Sequence, residues 1–211
     1  MFTGVIEAIG RVASVKPAGQ SAALTIDGGD LEMNDVAIGD SIACNGVCLT
    51  VTSLVPKGFT VDVSQETLRV TAGFGAGAAV NLEKSLRLSD RLGGHLVSGH
   101  VDGVGTVTAV KPVDANREIM VRFPAELGRY IARKGSIAVN GVSLTVNGVT
   151  TDTFSMNLVP HTLAVTNLKD LKQGDRVNLE IDLVARYVER LSEASQAVPT
   201  PKSKPRSHRE K

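Results

Sequence analysis

One eleven-residue segment, written twice, constrains this chain more than any other feature. Ser41-Ile-Ala-Cys-Asn-Gly-Val-Cys-Leu-Thr-Val51 returns as Ser136-Ile-Ala-Val-Asn-Gly-Val-Ser-Leu-Thr-Val146, identical at nine of eleven positions and displaced by 95 residues. A repeat this long means two domains of one design, not a solenoid period. Asn-Gly between alternating segments is the strongest short hairpin signal, because a type I′ turn needs two residues that tolerate φ > 0. With Asn45-Gly46 as the loop, Cys44 pairs with Val47, Ala43 with Cys48, Ile42 with Leu49 and Ser41 with Thr50. Faces alternate along a strand. Ile42, Cys44, Val47, Leu49 and Val51 therefore face a core, as do Ile137, Val139, Val142, Leu144 and Val146. The opposite face carries Ser41, Ala43, Cys48, Thr50 and Thr52, matched by Ser136, Ala138, Ser143 and Thr145. A floor this small and polar leaves room for a flat molecule.

At 211 residues the repeat implies two domains of roughly 90 residues. The chain has five Phe, two Tyr and no Trp, too few rings for reading single-stranded nucleic acid. Its net charge of +1 is uneven. Lys202, Lys204, Arg206, Arg209 and Lys211 crowd the last fifteen residues against Glu210, which leaves a mildly acidic body. Nucleic acid is therefore not an expected partner. Nor is a membrane, since no apolar run approaches a span. Cys44 and Cys48 point to opposite faces and form no disulfide framework. With a start, Met-Phe-Thr-Gly-Val-Ile-Glu, unlike a secretory leader, they suggest a cytoplasmic protein.

Residues 1–12 and 97–107 read as equivalent strands with internal glycines. Further strands are expected at 22–26, 118–123, 58–63 and 153–158, with short helices over 125–133 and 30–36. Phe59 and Phe154 are equivalent core residues. Glu66-Thr-Leu68 echoes His161-Thr-Leu163, and Val80-Asn-Leu-Glu83 echoes Val177-Asn-Leu-Glu180. Many short strands with frequent turns give an all-β fold: two tandem small Greek-key β-barrels of the same design plus a C-terminal amphipathic helix. Val184, Tyr187, Val188 and Leu191 supply that helix's apolar stripe, suited to burial in an oligomer. The boundaries are a barrel at 1–94, a barrel at 95–183, an oligomerisation helix at 184–196 and a disordered basic tail at 197–211. Gly73–Gly77 lacks the βαβ setting of a dinucleotide loop, and Gly93-Gly94 reads as a hinge. His95 and His100 lack a third partner for a metal, so no metal site is expected.

Several motifs agree in order over residues 1–192: Met-Phe-Thr-Gly at the start, Asn-Gly-Val-Cys-Leu-Thr-Val at 45–51, Glu-Thr-Leu at 66–68, Gly-Gly-His-Leu-Val-Ser-Gly-His at 93–100 and Asn-Gly-Val-Ser-Leu-Thr-Val at 140–146. This set resembles riboflavin synthase of the α-chain type. The resemblance implies a cofactor-free dismutation of two 6,7-dimethyl-8-ribityllumazine molecules into riboflavin and 5-amino-6-ribitylamino-uracil. It also implies a homotrimer whose sites lie between neighbouring chains, and suggests association with a lumazine synthase. Backbone at Gly4, Val5 and Ile6 and at Gly99, His100 and Val101 would meet the rings as strand edges, with Cys48, Leu49, Thr50, Ser143, Leu144 and Thr145 beside them. Asp62, Val63, Ser64, Gln65, Glu66 and Thr67 would hold one ribityl chain. Asn157, Leu158, Val159, Pro160, His161 and Thr162 would hold the other, with Lys134 reaching substrate. His100 is the candidate acid/base. Cys48, or water held by Ser143 and Thr145, is the candidate nucleophile, and Asp182 polarises a neighbour. The repeats differ at Cys48/Ser143, Val5/His100 and Glu66/His161, a division of labour between donor and acceptor. A lumazine- or flavin-carrying antenna protein is the competing expectation. Retention of both hydroxyl pairs, Cys48 and His100 favours the enzyme.

Overall fold

The structure, a computed structural model, describes residues 1–197. The basic tail expected beyond the helix lies outside the described residues.

In the first repeat, β1 (Ala8–Ala18), β2 (Ser21–Asp27), β3 (Ser41–Cys44), β4 (Val47–Val55), β5 (Gly58–Val63) and β6 (Ala79–Lys84) close into a barrel in the order β1-β2-β5-β4-β3-β6. The non-consecutive β2–β5 and β3–β6 neighbours make it a Greek key. Helix α1 (Gln65–Val70) bridges β5 and β6. The second repeat is built from β7 (Gly103–Val113), β8 (Asn116–Arg122), β9 (Ser136–Val139), β10 (Val142–Thr145), β11 (Gly148–Val149), β12 (Thr153–Leu158), α2 (Pro160–Val165) and β13 (Arg176–Ile181). Its sheet curls in the order β10-β9-β13-β7-β8-β12-β11. The two copies differ at one strand. β4 runs unbroken and pairs with both β3 and β5. Its counterpart breaks at Val146-Asn147 into β10 and β11, leaving two paired residues against β12.

Both hairpins form in the expected register, from Cys44 with Val47 to Ser41 with Thr50, and from Val139 with Val142 to Ser136 with Thr145. Asn45 and Gly46 have φ of 49° and 78°, and Asn140 and Gly141 have 46° and 79°, as a type I′ turn requires. Ile42, Cys44, Val47, Leu49 and Val51 join the first core, and Ile137, Val139, Val142 and Val146 the second. Phe59 and Phe154 are buried in the two cores.

Three local expectations need correction. Residues 1–7 and 97–102 are not regular strand. They form two crossing segments joined by the Phe2–Val97 bridge, and regular strands start only at Ala8 and Gly103. The buried carboxylates described below take up the amides of Thr3, Gly4, Ser98 and Gly99, which therefore need no ladder partner. Residues 30–36 are turns, in which Leu31 and Val36 anchor to the core without a helix, and 125–130 form a 3-10 helix. The small outer floor is also partly covered. Ala43 and Ala138 pack with Phe2 and Val97 in a small apolar cluster between the repeats, with Cys48 at its margin.

The repeats meet turn to turn. A Cβ placed on Gly46 would lie 2.7 Å from the Gly141 nitrogen, and the converse distance is the same. Around this contact the Asn81 amide donates to the Asn140 carbonyl and the Asn178 amide to the Asn45 carbonyl, each at 2.9 Å. The linker from Ser85 to Gly94 has no regular structure. The described residues end in α3 (Leu183–Ala197), fixed to the second repeat by Arg186–Asp102 at 2.6 Å and Arg129–Glu189 at 2.6 Å. Val184, Tyr187, Val188 and Leu191 are exposed on the single chain.

Gly46→Ala is expected to cost more than Gly19→Ala. Both glycines have positive φ, but Gly19 has open space around its α-carbon. Strain alone is worth about 1–3 kcal/mol, and only Gly46→Ala adds a collision with backbone. Urea midpoints of the two variants measure the difference, and equal midpoints would contradict the close turn-to-turn contact.

Candidate active site

Each hairpin floor is completed by a segment from the opposite repeat. The Cys48 amide donates to the Gly99 carbonyl at 2.9 Å, and the Ser143 amide donates to the Gly4 carbonyl at 2.8 Å. Both glycines are obligatory. Gly4 has φ +74° and Gly99 +80°, and a Cβ on either would lie 2.6 Å from the Cβ of Ser143 or Cys48. The structure therefore brings Gly99, His100 and Val101 to Cys48, Leu49 and Thr50. It brings Gly4, Val5 and Ile6 to Ser143, Leu144 and Thr145. The expected strand edges are instead single carbonyl holds that cross between repeats.

The remaining predicted residues sit on the strands and turns beside these floors. Val51 pairs with Val61, so Thr50 and Asp62 share the outer side one step further along. Ser64 caps α1, its hydroxyl accepting from the Thr67 amide at 3.1 Å. Glu66 is ion-paired with Arg69 at 2.6 Å, and that guanidinium holds its carboxyl below the usual range. Asn157 lies on β12, while Val159 and Pro160 start α2, which carries exposed His161. Lys134 is exposed in a left-handed turn, φ 68°, its amide donating to the Val146 carbonyl at 2.7 Å. Asp182 caps α3, accepting from the Val184 amide at 2.9 Å.

Sequence reasoning weighed His95 only as a metal ligand. It is 8% exposed, and its Nδ1 lies 2.7 Å from the Ser143 hydroxyl. Nε2 is buried without a hydrogen-bond partner. Burial holds this imidazole below its ordinary range, opposed in part by the Asp182 charge. Cys44 is buried and pushed up to about 12, chiefly by burial, so Cys48 is the accessible thiol of the pair. No group of three metal-ligating side chains occurs among the described residues.

The half-sites are open. Thr50, Thr145 and His100 are exposed, as are Val5 at 51% and Val159 at 47%. A cleft of about 640 Å³ lies elsewhere, lined by Ser41, Glu83 and the ion-paired Asp35, Lys84 and Arg87, and touches the predicted set only at Val5.

The lumazine binding domain family matches residues 3–85 and again 98–182. Riboflavin synthase of Photobacterium leiognathi is 47% identical over 193 residues, covering 90% of this chain and 88% of that protein. Riboflavin synthase of Bacillus subtilis is 42% identical over 192 residues, covering 90% and 89%.

The chain belongs to the riboflavin synthase family.

Two solved structures share its fold at 24% identity, covering 86% of this chain and 99% of theirs. They are LumP complexed with riboflavin, at a TM-score of 0.80, and LumP complexed with 6,7-dimethyl-8-(1'-D-ribityl) lumazine, at 0.78. In riboflavin synthase terms, the family match begins and ends each repeat at its crossing segment and its Glu83 or Glu180 strand. These are the parts that complete the opposite half-site.

The unfolded chain binds a proton at His95 before the folded one does, since burial lowers the folded value below ~6.5. Neutral His95 therefore contributes stability above about pH 6.5, lost as pH falls through the folded value. The stability advantage of wild type over His95→Gln is expected to shrink between about pH 7.5 and pH 5.5. Urea midpoints at both pH values check this; a constant difference would refute the buried neutral imidazole.

Proposed function

We infer that the protein acts as a riboflavin synthase. It holds two molecules of 6,7-dimethyl-8-ribityllumazine face to face and moves a four-carbon unit from one to the other. The products are riboflavin and 5-amino-6-ribitylamino-uracil. Atoms and electrons balance between the two lumazines, so the exchange itself consumes no oxidant or reductant. The observation that carries this reading is the pair of crosswise half-sites, alike in backbone and unlike in side chains. Two identical substrates with unequal roles need such a pair.

The half-site of Cys48 and Thr50 carries exposed His100, which takes the proton from the activated ring methyl. The half-site of Ser143 and Thr145 carries His95 behind Ser143. A neutral His95 accepts from the Ser143 hydroxyl and orients it, with Thr145, around an attacking water. Cys48 is the alternative nucleophile. Asp62, Ser64, Glu66 and Thr67 face one ribityl chain, and Asn157, His161 and Thr162 the other. Holding both rings in register converts a bimolecular step into an intramolecular one.

The openness of both half-sites supports a site shared between copies. An N-terminal half-site of one chain closes on a C-terminal half-site of its neighbour in a homotrimer, and the exposed stripe of α3 is buried there. Two free cysteines fit the reducing cytoplasm.

Purified protein incubated with the lumazine is expected to accumulate riboflavin absorbance. Tight binding with no product over hours would assign it to the carriers instead. His100→Gln is expected to lower kcat by about 10²–10⁴-fold; turnover near wild type removes the imidazole from the mechanism. Cys48→Ala separates the nucleophiles: a loss on that scale assigns the addition to the thiol, and near-normal turnover assigns it to water. Deleting residues 183–211 is expected to give monomers without activity, read by analytical ultracentrifugation. An active monomer would overturn the shared site.

A further inference from the structure

Two buried carboxylates remain outside this account. Glu83 and Glu180 are each 4% exposed. Both lie on outer barrel faces, Glu83 beside Ala43 in the β6–β3 ladder and Glu180 beside Ala138 in the β13–β9 ladder. Ala43 in turn pairs with Cys48, and Ala138 with Ser143. Each glutamate thus heads a three-residue row that ends at a half-site floor.

Neither takes part in a salt bridge among the described residues, yet each is filled with donors. Glu83 Oε1 accepts from the Thr3 amide at 2.6 Å and the Thr3 hydroxyl at 2.7 Å, and Oε2 accepts from the Gly4 amide at 2.9 Å. Glu180 repeats the pattern, with the Ser98 amide at 2.6 Å, the Ser98 hydroxyl at 2.7 Å and the Gly99 amide at 3.0 Å. Burial pushes both carboxyls up from the usual range, and these donors pull against it. Plain packing would place an apolar side chain here, since an uncompensated buried carboxylate is costly. Glutamine has the same shape but replaces one acceptor oxygen with an NH2, which must oppose an N–H in this arrangement. The site calls for an acceptor-only group.

The held segments then cross over. Thr3-Gly4, held by Glu83 of the first repeat, offers the Gly4 carbonyl to Ser143 of the second. Ser98-Gly99, held by Glu180 of the second repeat, offers the Gly99 carbonyl to Cys48 of the first. We propose that Glu83 and Glu180 are positioning residues that act crosswise. Glu83 sets the half-site built on the second repeat's hairpin, and Glu180 sets the half-site built on the first repeat's hairpin. The assignment deepens the riboflavin synthase reading and rests on it for the identity of the ligand, though not for the geometry.

The chain supplies its own probe. Of its two cysteines, Cys44 is buried and held protonated to about 12, so iodoacetamide under native conditions reads Cys48. The Gly99 backbone lies over that side chain. Glu180→Gln is expected to speed Cys48 alkylation about tenfold, the factor for one hydrogen bond's ~1.4 kcal/mol, while Glu83→Gln leaves the rate unchanged. Riboflavin is the second probe. Its protection of Cys48 is expected to need about tenfold more ligand in Glu180→Gln and the wild-type concentration in Glu83→Gln. A second binding phase, seen by fluorescence and unlinked to Cys48, should weaken only in Glu83→Gln. Purely structural glutamates would lower both melting temperatures and leave the two labelling rates equal, and that result overturns the proposal. Should a Glu→Gln chain fail to fold, Ser98→Ala and Thr3→Ala remove one donor from each carboxylate and make the same comparison. Wild type that neither binds nor is protected by riboflavin would refute the ligand assignment; unequal labelling rates would still uphold the crosswise hold.

Discussion

The contact between the two Asn-Gly turns is the constraint on which the rest depends. A type I′ turn forces positive φ at both central residues, and here each turn also has no room for a second Cβ. The asparagines do more than permit the turn. The Asn45 and Asn140 side-chain oxygens accept the Asn81 and Asn178 amides at 2.8 Å. Those two asparagines in turn donate across the junction to the opposite turn. Their own oxygens accept from Asn167 and Ala72, 2.7 Å each, which are again pseudo-equivalent positions. Asn81 is fully buried and Asn178 nearly so, so each lost partner would leave a desolvated polar group, a cost of about 1–3 kcal/mol. The junction thus favours one relative placement of the repeats. That placement is what lets residues 1–7 reach the second hairpin and residues 97–102 reach the first.

Duplication with exchange explains how one backbone design yields two unlike floors. Each half-site takes a floor from one repeat and an overlying segment from the other. A substitution in either repeat therefore alters one half-site's floor and the other half-site's cover. Cys48 is covered by the segment that ends in His100, while Ser143 is covered by the segment that ends in Val5. His95 precedes the second segment and still reaches the Ser143 half-site, so Ser143 receives its imidazole from within its own repeat. The two basic nitrogens of this region thus fall to different floors. At the two floors the backbone pseudo-symmetry is kept by the glutamates and glycines, and the side chains that face the openings break it.

Much of this was legible in the repeated segment. Its register, its turn conformation and its inward residues follow from alternation and from Asn-Gly alone, and the burial of Ile42, Leu49, Ile137 and Val139 agrees. The Asn81/Asn178 and Glu83/Glu180 pairs were visible as an echo between repeats, without a visible purpose. Their partners lie roughly eighty residues away or more along the chain in the carboxylate case, and no periodicity reports such a contact. Residues 1–7 alternate like a strand, but Glu83 takes up the Thr3 and Gly4 amides, which interrupts the backbone pairing between Phe2 and Glu7. The helices α1 and α2 escaped because each is six residues long, shorter than two turns of apolar periodicity. Ser64 at the first N-cap and Pro160 opening the second were the local signals.

The proposed exchange between two lumazines accounts for the open faces of the two floors. A pocket closed within one chain would enclose one ring against protein on both sides. Two rings that must exchange carbons have to meet with nothing between them, so each floor must present its ligand outward. Small side chains at Cys48, Thr50, Ser143 and Thr145 keep the floor flat, and the scarcity of protein aromatics suits the proposed stacking of one lumazine on the other. A single chain then carries two floors that it does not close by itself, and an exposed apolar stripe on α3 beside the second repeat. Arg186 ties that helix to Asp102, whose other oxygen accepts the Ile181 amide at 2.9 Å. Asp102 directly follows the His100–Val101 segment, and Glu180 directly precedes Ile181. The helix is therefore fastened to the same strand end that positions the Cys48 floor, and in the proposed trimer this couples assembly to the geometry of that floor.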